Sequence, residues 1–177
     1  MSYTYFAASL PALRFDSPPP LTEDEFAALC VSNLTAADRV AFDALRSGAE
    51  SAHPFVRKWR DCETQFRNAC AAIRAAKLGA DARKWRRPHS GFSVSIETAA
   101  AAAFAESDPM RRDAALKKVL WDAAAETAGL DQFSAAAIFA YFIRLRIAAD
   151  RAKINREAGA ARLMKISTTE SSTEPAQ

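Results

Sequence analysis

Residues 54–79 read PFVRKWRDCETQFRNACAAIRAAKLG. Phe55, Val56, Trp59, Cys62, Phe66, Ala69, Cys70, Ile73 and Ala76 recur in it at three- and four-residue intervals, which is the period of one apolar face of an α-helix. Pro54 suits a first helical turn, where its missing N–H is not needed, and Gly79 supplies a stop. At 1.5 Å per residue the run from Pro54 to Leu78 predicts a helix about 37 Å long. Its other face offers Arg57 with Asp61 and Glu63 with Arg67 at four-residue spacing, pairs worth a few tenths of a kcal/mol each.

Working outward from this helix, the same period recurs on both sides. Before it, Thr22 with Glu25 forms a capping box that opens a helix from about Leu21 to Asn33, with Phe26, Leu29 and Cys30 on its apolar face. Thr35 with Asp38 is a weaker version of that signal and opens a second helix through Val40, Ala41 and Leu45 to Gly48. After the long helix, residues 80–93 form a charged connection broken by Pro88 and Gly91. A helix from Ile96 to Glu106 contains five consecutive alanines. Asp108-Pro109 caps the next, which runs through Leu116, Val119, Leu120 and Trp121 to Thr127 and stops at Gly129. The last helix starts near Asp131 or Ser134, is apolar almost all round from Ala135 to Ile143, and extends past Ala158 toward Leu163. Its first half is therefore expected to be the most buried in the protein.

The expected fold is an all-α, single-domain helical bundle of about six helices, with long third and last members. The chain has 177 residues, roughly a quarter of them alanine, with five glycines and almost no Val/Ile/Thr-rich run, a composition for closely packed helices rather than strands. Residues 1–166 form the helical domain, and the Ser/Thr/Glu/Pro-rich residues 167–177 read as a disordered tail. The first fifteen residues are expected to be a buried extended or single-turn segment, followed by a polyproline-type spacer at Pro18-Pro19-Pro20.

A net charge of +3 and a pI near 8.9 are only mildly basic. Three cysteines at irregular spacing fit reduced cytoplasmic thiols better than a disulfide framework. Met1 is followed by polar and aromatic residues rather than by a basic region and an apolar stretch, so no signal peptide is expected. No run reaches the ~18 consecutive apolar residues of a spanning helix.

Few residues offer chemistry. His53 and His89 stand in no zinc-ligand spacing, and no metal or cofactor is expected. Cys62 and Cys70, eight residues apart, read as buried small hydrophobes. The scattered glycines exclude a phosphate-binding loop. Glu23, Asp24 and Glu25 complement the dipole at a helix start. Trp59, Phe66, Trp121, Phe139 and Phe142 are expected in the core. No catalytic residue stands out.

The concentrated surface feature is Arg83-Lys84-Trp85-Arg86-Arg87. Guanidinium groups around an indole suit phosphates and a stacked base, and they equally suit an acidic patch on a protein partner. A third reading is a solvated loop whose Trp85 tucks back onto the bundle.

Three blocks carry a resemblance: Tyr5 to Leu13 with Phe15-Asp16, the Leu21 to Cys30 helix, and the C-terminal pair containing Leu120-Trp121-Asp122 and Ala140-Tyr141-Phe142-Ile143-Arg144-Leu145. In order and spacing they resemble a poorly characterised bacterial family, a domain of unknown function encoded with the subunits of V-type (A/V-type) ATP synthases. That family looks like a shortened relative of the C subunit of these enzymes, which is named d in eukaryotes. The resemblance implies a non-catalytic adaptor between the central stalk and the membrane rotor ring, with other ATPase subunits as partners. It implies a cytoplasmic location, peripheral at the inner face of the cell membrane through the complex and without direct membrane insertion. The alternative expectation is a nucleic-acid-binding helical module using the Arg83–Arg87 loop.

Overall fold

A computed structural model describes residues 2–154. The expected extension of the last helix toward Leu163 and the tail at 167–177 lie outside these residues. Seven α-helices are present among them: α1 (Thr4–Ser9), α2 (Glu23–Asn33), α3 (Ala36–Ser47), α4 (Pro54–Leu78), α5 (Val94–Ala105), α6 (Pro109–Ala128) and α7 (Ala135–Ala152). A short 3-10 turn, Ala82–Trp85, interrupts the connection between α4 and α5. The chain is thus the all-α bundle the sequence predicts. The added member is α1, six residues long, where the sequence indicated only an extended or single-turn segment.

Local signals set the helix ends. Thr22 and Glu25 form the reciprocal capping box, with Glu25 N–H donating to Thr22 Oγ1 at 3.2 Å and Thr22 N–H to Glu25 Oε2 at 2.8 Å. Asp108 caps α6 ahead of Pro109, and Ser134 caps α7. Gly48 and Gly79 close α3 and α4 in the left-handed conformation that favours glycine. His53, unexpectedly, caps α4: its Nδ1 accepts from Phe55 N–H at 3.2 Å. The Thr35 cap is completed from far away. Asp38 is too short to return a bond to the Thr35 N–H, which donates instead to the Tyr3 hydroxyl at 3.2 Å, while that hydroxyl donates to Asp38 Oδ2.

The helices pack as two trios, α4–α5–α6 and α2–α3–α7, joined by the extensive α6–α7 contact and by α3 against α4. The second trio is aromatic. Phe26, Phe139 and Phe142 are completely buried. Phe26 stacks on Tyr141 at 5.2 Å, and Phe42 meets Phe142 edge-on at 4.9 Å. The first trio uses small residues, with Ala100 and Ala124 fully buried beside Ile96 and Phe104. As expected, α7 is the most buried helix, through Ile138, Phe139, Ala140, Phe142, Ile143, Leu145 and Ala148, and the aromatic residues at 59, 66, 121, 139 and 142 are all core.

Some expected inward positions point outward. Leu29 is 38% exposed, and on α2 Ala27 is buried instead. On α4 the buried alanine near the C-terminus is Ala75, and Ala76 faces solvent. A four-residue spacing leaves the exact heading of a helix face open by one position, and neighbouring helices settle it. Glu63 and Arg67 form their ion pair at 2.7 Å. Asp61 does not pair with Arg57; its carboxylate accepts from Ser90 N–H at 2.9 Å.

The blocks that carry the resemblance converge in space. Phe6 stacks on Phe26 at 6.2 Å, and Tyr141 donates to the Pro11 carbonyl at 2.9 Å. Phe15 packs edge-on against Trp121 at 5.4 Å and lies under the Arg151 guanidinium at 3.8 Å. Arg144 covers Trp121 at 4.2 Å. The N-terminal segment is therefore a strap over α2, α6 and α7.

Candidate functional site

The connection from Gly79 to Ser93 is built from the side chains of α4. Asp61, Gln65 and Asn68 are four and three residues apart and so share one helix face. Asn68 grips Arg87 by both backbone groups: its Nδ2 donates to Arg87 O at 2.7 Å, and its Oδ1 accepts from Arg87 N–H at 2.9 Å. Gln65 does the same to Ser93, at 2.8 Å to the carbonyl and 2.9 Å from the N–H. Asp61 holds Ser90 N–H between them. Gln65 is 3% exposed, and its second Nε2 proton goes to Glu97 Oε1 at 3.2 Å, so both ends of this buried amide are satisfied. Three polar side chains thus supply the partners that this irregular backbone lacks.

With its main chain held, the connection turns its side chains outward. Arg83, Lys84, Trp85, Arg86 and Arg87 are all exposed. Trp85 is 54% exposed, which rules out the reading in which it tucks back onto the bundle. Asp81 organises the turn, accepting from Arg83 N–H and from its guanidinium Nε, both at 3.0 Å. Those bonds from Arg83 hold the Asp81 carboxyl below the usual carboxylate range. Lys84, Arg86 and Arg87 have no acidic side chain in ion-pair range among the described residues. Leu78, Phe92 and Val94, at the two ends of the same segment, are exposed as well.

Phe92 stands between two clefts. One, of about 570 Å³, runs between α4 and α6 past Cys62, with Arg57, Lys58, Asp61 and Glu126 on its rim. The other, of about 510 Å³, lies between α4, the connection and the start of α5, lined by Asn68, Ala72, Arg83, Arg86, His89 and Phe92. The rim of the first mixes charges. The second is cationic apart from Glu97, whose carboxylate already accepts from Gln65.

The remaining chemistry-bearing residues have structural positions. Cys70 is buried and Cys62 half-buried, and burial raises both thiols above the usual range. Burial pushes the Cys30 thiol up to about 12. Glu23 lies 3.6 Å from Arg146 and Asp24 2.7 Å from Arg46. No group of three or more His, Cys, Asp or Glu side chains able to hold a metal ion occurs among the described residues. Nor is any described helix long and apolar enough to cross a membrane.

The basic run was legible in the sequence, but the residues that present it were not. Their signal is slight: two carboxamides and a carboxylate at helical spacing on an otherwise apolar or ion-paired helix. Compared with known proteins, the chain matches no family model, no curated protein and no solved structure.

Proposed function

We propose that the chain is a non-catalytic helical adaptor of a bacterial V-type ATPase, similar to the C subunit (named d in eukaryotes), that links the central stalk and the membrane ring. The observation that carries the adaptor reading is the braced connection. Asn68, Gln65 and Asp61 fix the backbone at Arg87, Ser93 and Ser90, and the 3-10 turn capped by Asp81 carries Arg83, Lys84 and Trp85. The whole run from Arg83 to Arg87 is presented to solvent. Fixing a contact surface before binding reduces the ordering cost of association, and Trp and Arg are the usual anchors of protein interfaces. The ATPase assignment rests on the resemblance. It is supported by the meeting of the resembling blocks in a single packed unit at Phe26, Trp121 and Tyr141. In this reading other subunits hold the protein at the inner face of the cell membrane.

The test is to tag the chain, solubilise native membranes gently and identify what co-purifies by mass spectrometry, with a variant in which Arg83, Lys84, Arg86 and Arg87 are all glutamine run in parallel. Recovery of ATPase subunits in fixed proportion with the wild type, and their loss with the folded variant, is the expected result. Absence of those subunits from the wild-type sample would remove the assignment. The exposed indole among cations also favours a second reading, single-stranded nucleic-acid binding, whose mark is a fall in affinity by orders of magnitude between ~50 and ~200 mM salt.

A further inference from the structure

The cleft beside the braced connection has a composition that selects its occupant. Its floor is α4 at Ala69 and Ala72, where small side chains leave room, and its walls are Arg83, Arg86, His89, Phe92 and Glu97, whose carboxylate accepts from Gln65. The described residues from Gly79 to Ser93 contain four basic side chains and one acidic one, Asp81, which is already paired with Arg83. Arg86 has no acidic partner in range. His89 contributes a buried Nδ1 that finds no hydrogen-bond partner within the protein. Phe92, 70% exposed, offers an apolar platform at the cleft edge beside Val94.

We infer that this cleft seats an acidic segment of a partner protein, with its carboxylates against Arg83 and Arg86 and an apolar side chain against Phe92 and Ala72. The inference rests on the adaptor reading and gives its partner a chemistry. Charge complementarity selects a polyanion. The exposed ring of Phe92 and the alanines at 69 and 72 select a peptide with mixed acidic and aliphatic side chains over a uniformly charged nucleic-acid backbone.

Fluorescence anisotropy with the full chain tests it, using three labelled probes: a short peptide of glutamate and leucine, the same peptide with glutamine for glutamate, and a single-stranded oligothymidylate of similar length. The acidic peptide is expected to bind, and the neutral one to bind about tenfold more weakly or not at all. Two variants separate the cleft from general charge. Arg83→Gln with Arg86→Gln removes the cations, and Ala72→Phe fills the floor while leaving the charge unchanged. Each is expected to weaken the acidic peptide about tenfold with the far-ultraviolet circular dichroism unaltered. Equal binding of acidic and neutral peptides overturns the inference, as does full binding by Ala72→Phe. Tighter binding of the oligonucleotide, with a steep salt dependence, overturns it in favour of nucleic acid. If native partners co-purify and depend on the basic run while the acidic peptide fails, the adaptor reading stands and this inference alone falls. If the peptide binds as described while no part of the ATPase co-purifies, the cleft stands and the assignment falls.

Discussion

Two segments cross this bundle, and they are held in different ways. The N-terminal strap, residues 2–22, is held both by its own side chains, with Tyr3 and Phe6 buried and Phe15 against Trp121, Arg151 and Lys118, and by bonds from Tyr141 and Arg151 to its carbonyls. Residues 79–93 are held by side chains of α4 that grip the main chain, and their own basic and aromatic side chains stay outside. The strap uses the rings of Tyr3, Phe6 and Phe15 in packing, although Tyr5 stays 96% exposed. A segment whose backbone is gripped from below keeps nearly all of its side chains for a partner. The strap contains much of the sequence that carries the family resemblance, yet in this fold it is a packing element. The connection is where a partner finds free side chains.

The comparison depends on the body to which both segments are fixed. Leu145 is fully buried and Ala140 is 4% exposed, so Leu145→Asp and Ala140→Asp each place an unpaired charge in the α7 core. Both are expected to abolish the cooperative thermal transition, a loss of more than ~4 kcal/mol. An unchanged melting temperature in either would mean that α7 is not the core, and the contrast would lose its reference. The next effect belongs to the strap. Phe6→Ala removes a buried ring and is expected to cost about 3–5 kcal/mol. Tyr3→Phe leaves the Thr35 N–H and Asp38 without their hydroxyl partner, at a cost of about 1–3 kcal/mol. Chemical denaturation measures both. If neither variant shifts the midpoint, the strap is an appendage rather than a part of the core.

What the sequence made legible follows the range of the interactions. Thr22 with Glu25, Asp108-Pro109, Gly48, Gly79 and Gly129 act within a turn of themselves, so each helix end could be read locally. The aromatic core was equally plain because Phe139 and Phe142 lie in a run apolar on every side. Leu29 and Ala76 were misplaced because their periodic positions lie at the edge of a face whose heading is set by helices far away in sequence. The basic run was visible as composition. Its bracing was not, because Asn68 and Arg87 are 19 residues apart and Gln65 and Ser93 are 28 apart. Nothing local to either partner announces such a bond. The Tyr3 hydroxyl that completes the Thr35 cap, 32 residues away, escaped for the same reason.

In the connection, the expected effect is mainly one of mobility. Asn68→Ala removes the two-pronged grip on Arg87, and at about 1 kcal/mol net for each of its two hydrogen bonds the cost to global stability, about 2 kcal/mol, is smaller than that of Phe6→Ala. The sharper readout is trypsin, for which Arg83, Lys84 and Arg86 are exposed sites, Arg87 being protected by the following Pro88. Local opening controls such cleavage. This variant is expected to be cut there faster by an order of magnitude or more while its melting temperature falls less than that of Phe6→Ala. Equal cleavage rates would show that the Asn68 carboxamide does not restrain the segment, and the contrast with the strap would then rest on exposure alone.

The smallest effect lies in two exposed carboxylates with matching tasks. Glu25 accepts from Thr22 N–H and Oγ1 where the strap ends, and Asp81 accepts from Arg83 in the connection. Bonds from Thr22 lower the pKa of Glu25, and bonds from Arg83 lower that of Asp81. A carboxylate whose folded-state pKa is depressed contributes stability above its unfolded-state pKa and loses it as pH falls through the folded-state value. Acidification therefore weakens both sites, below the usual range for such groups, but the consequences differ. Glu25 caps a helix that buries Phe26 in the aromatic core, so Glu25→Ala is expected to lower the melting temperature at neutral pH, with the difference from wild type vanishing in acid. Asp81 organises a turn that carries no buried residue. Asp81→Ala is expected to leave the melting temperature unchanged and to speed tryptic cleavage after Arg83. A fall in melting temperature from Asp81→Ala as large as that from Glu25→Ala would mean that the connection is as much a part of the folded core as the strap.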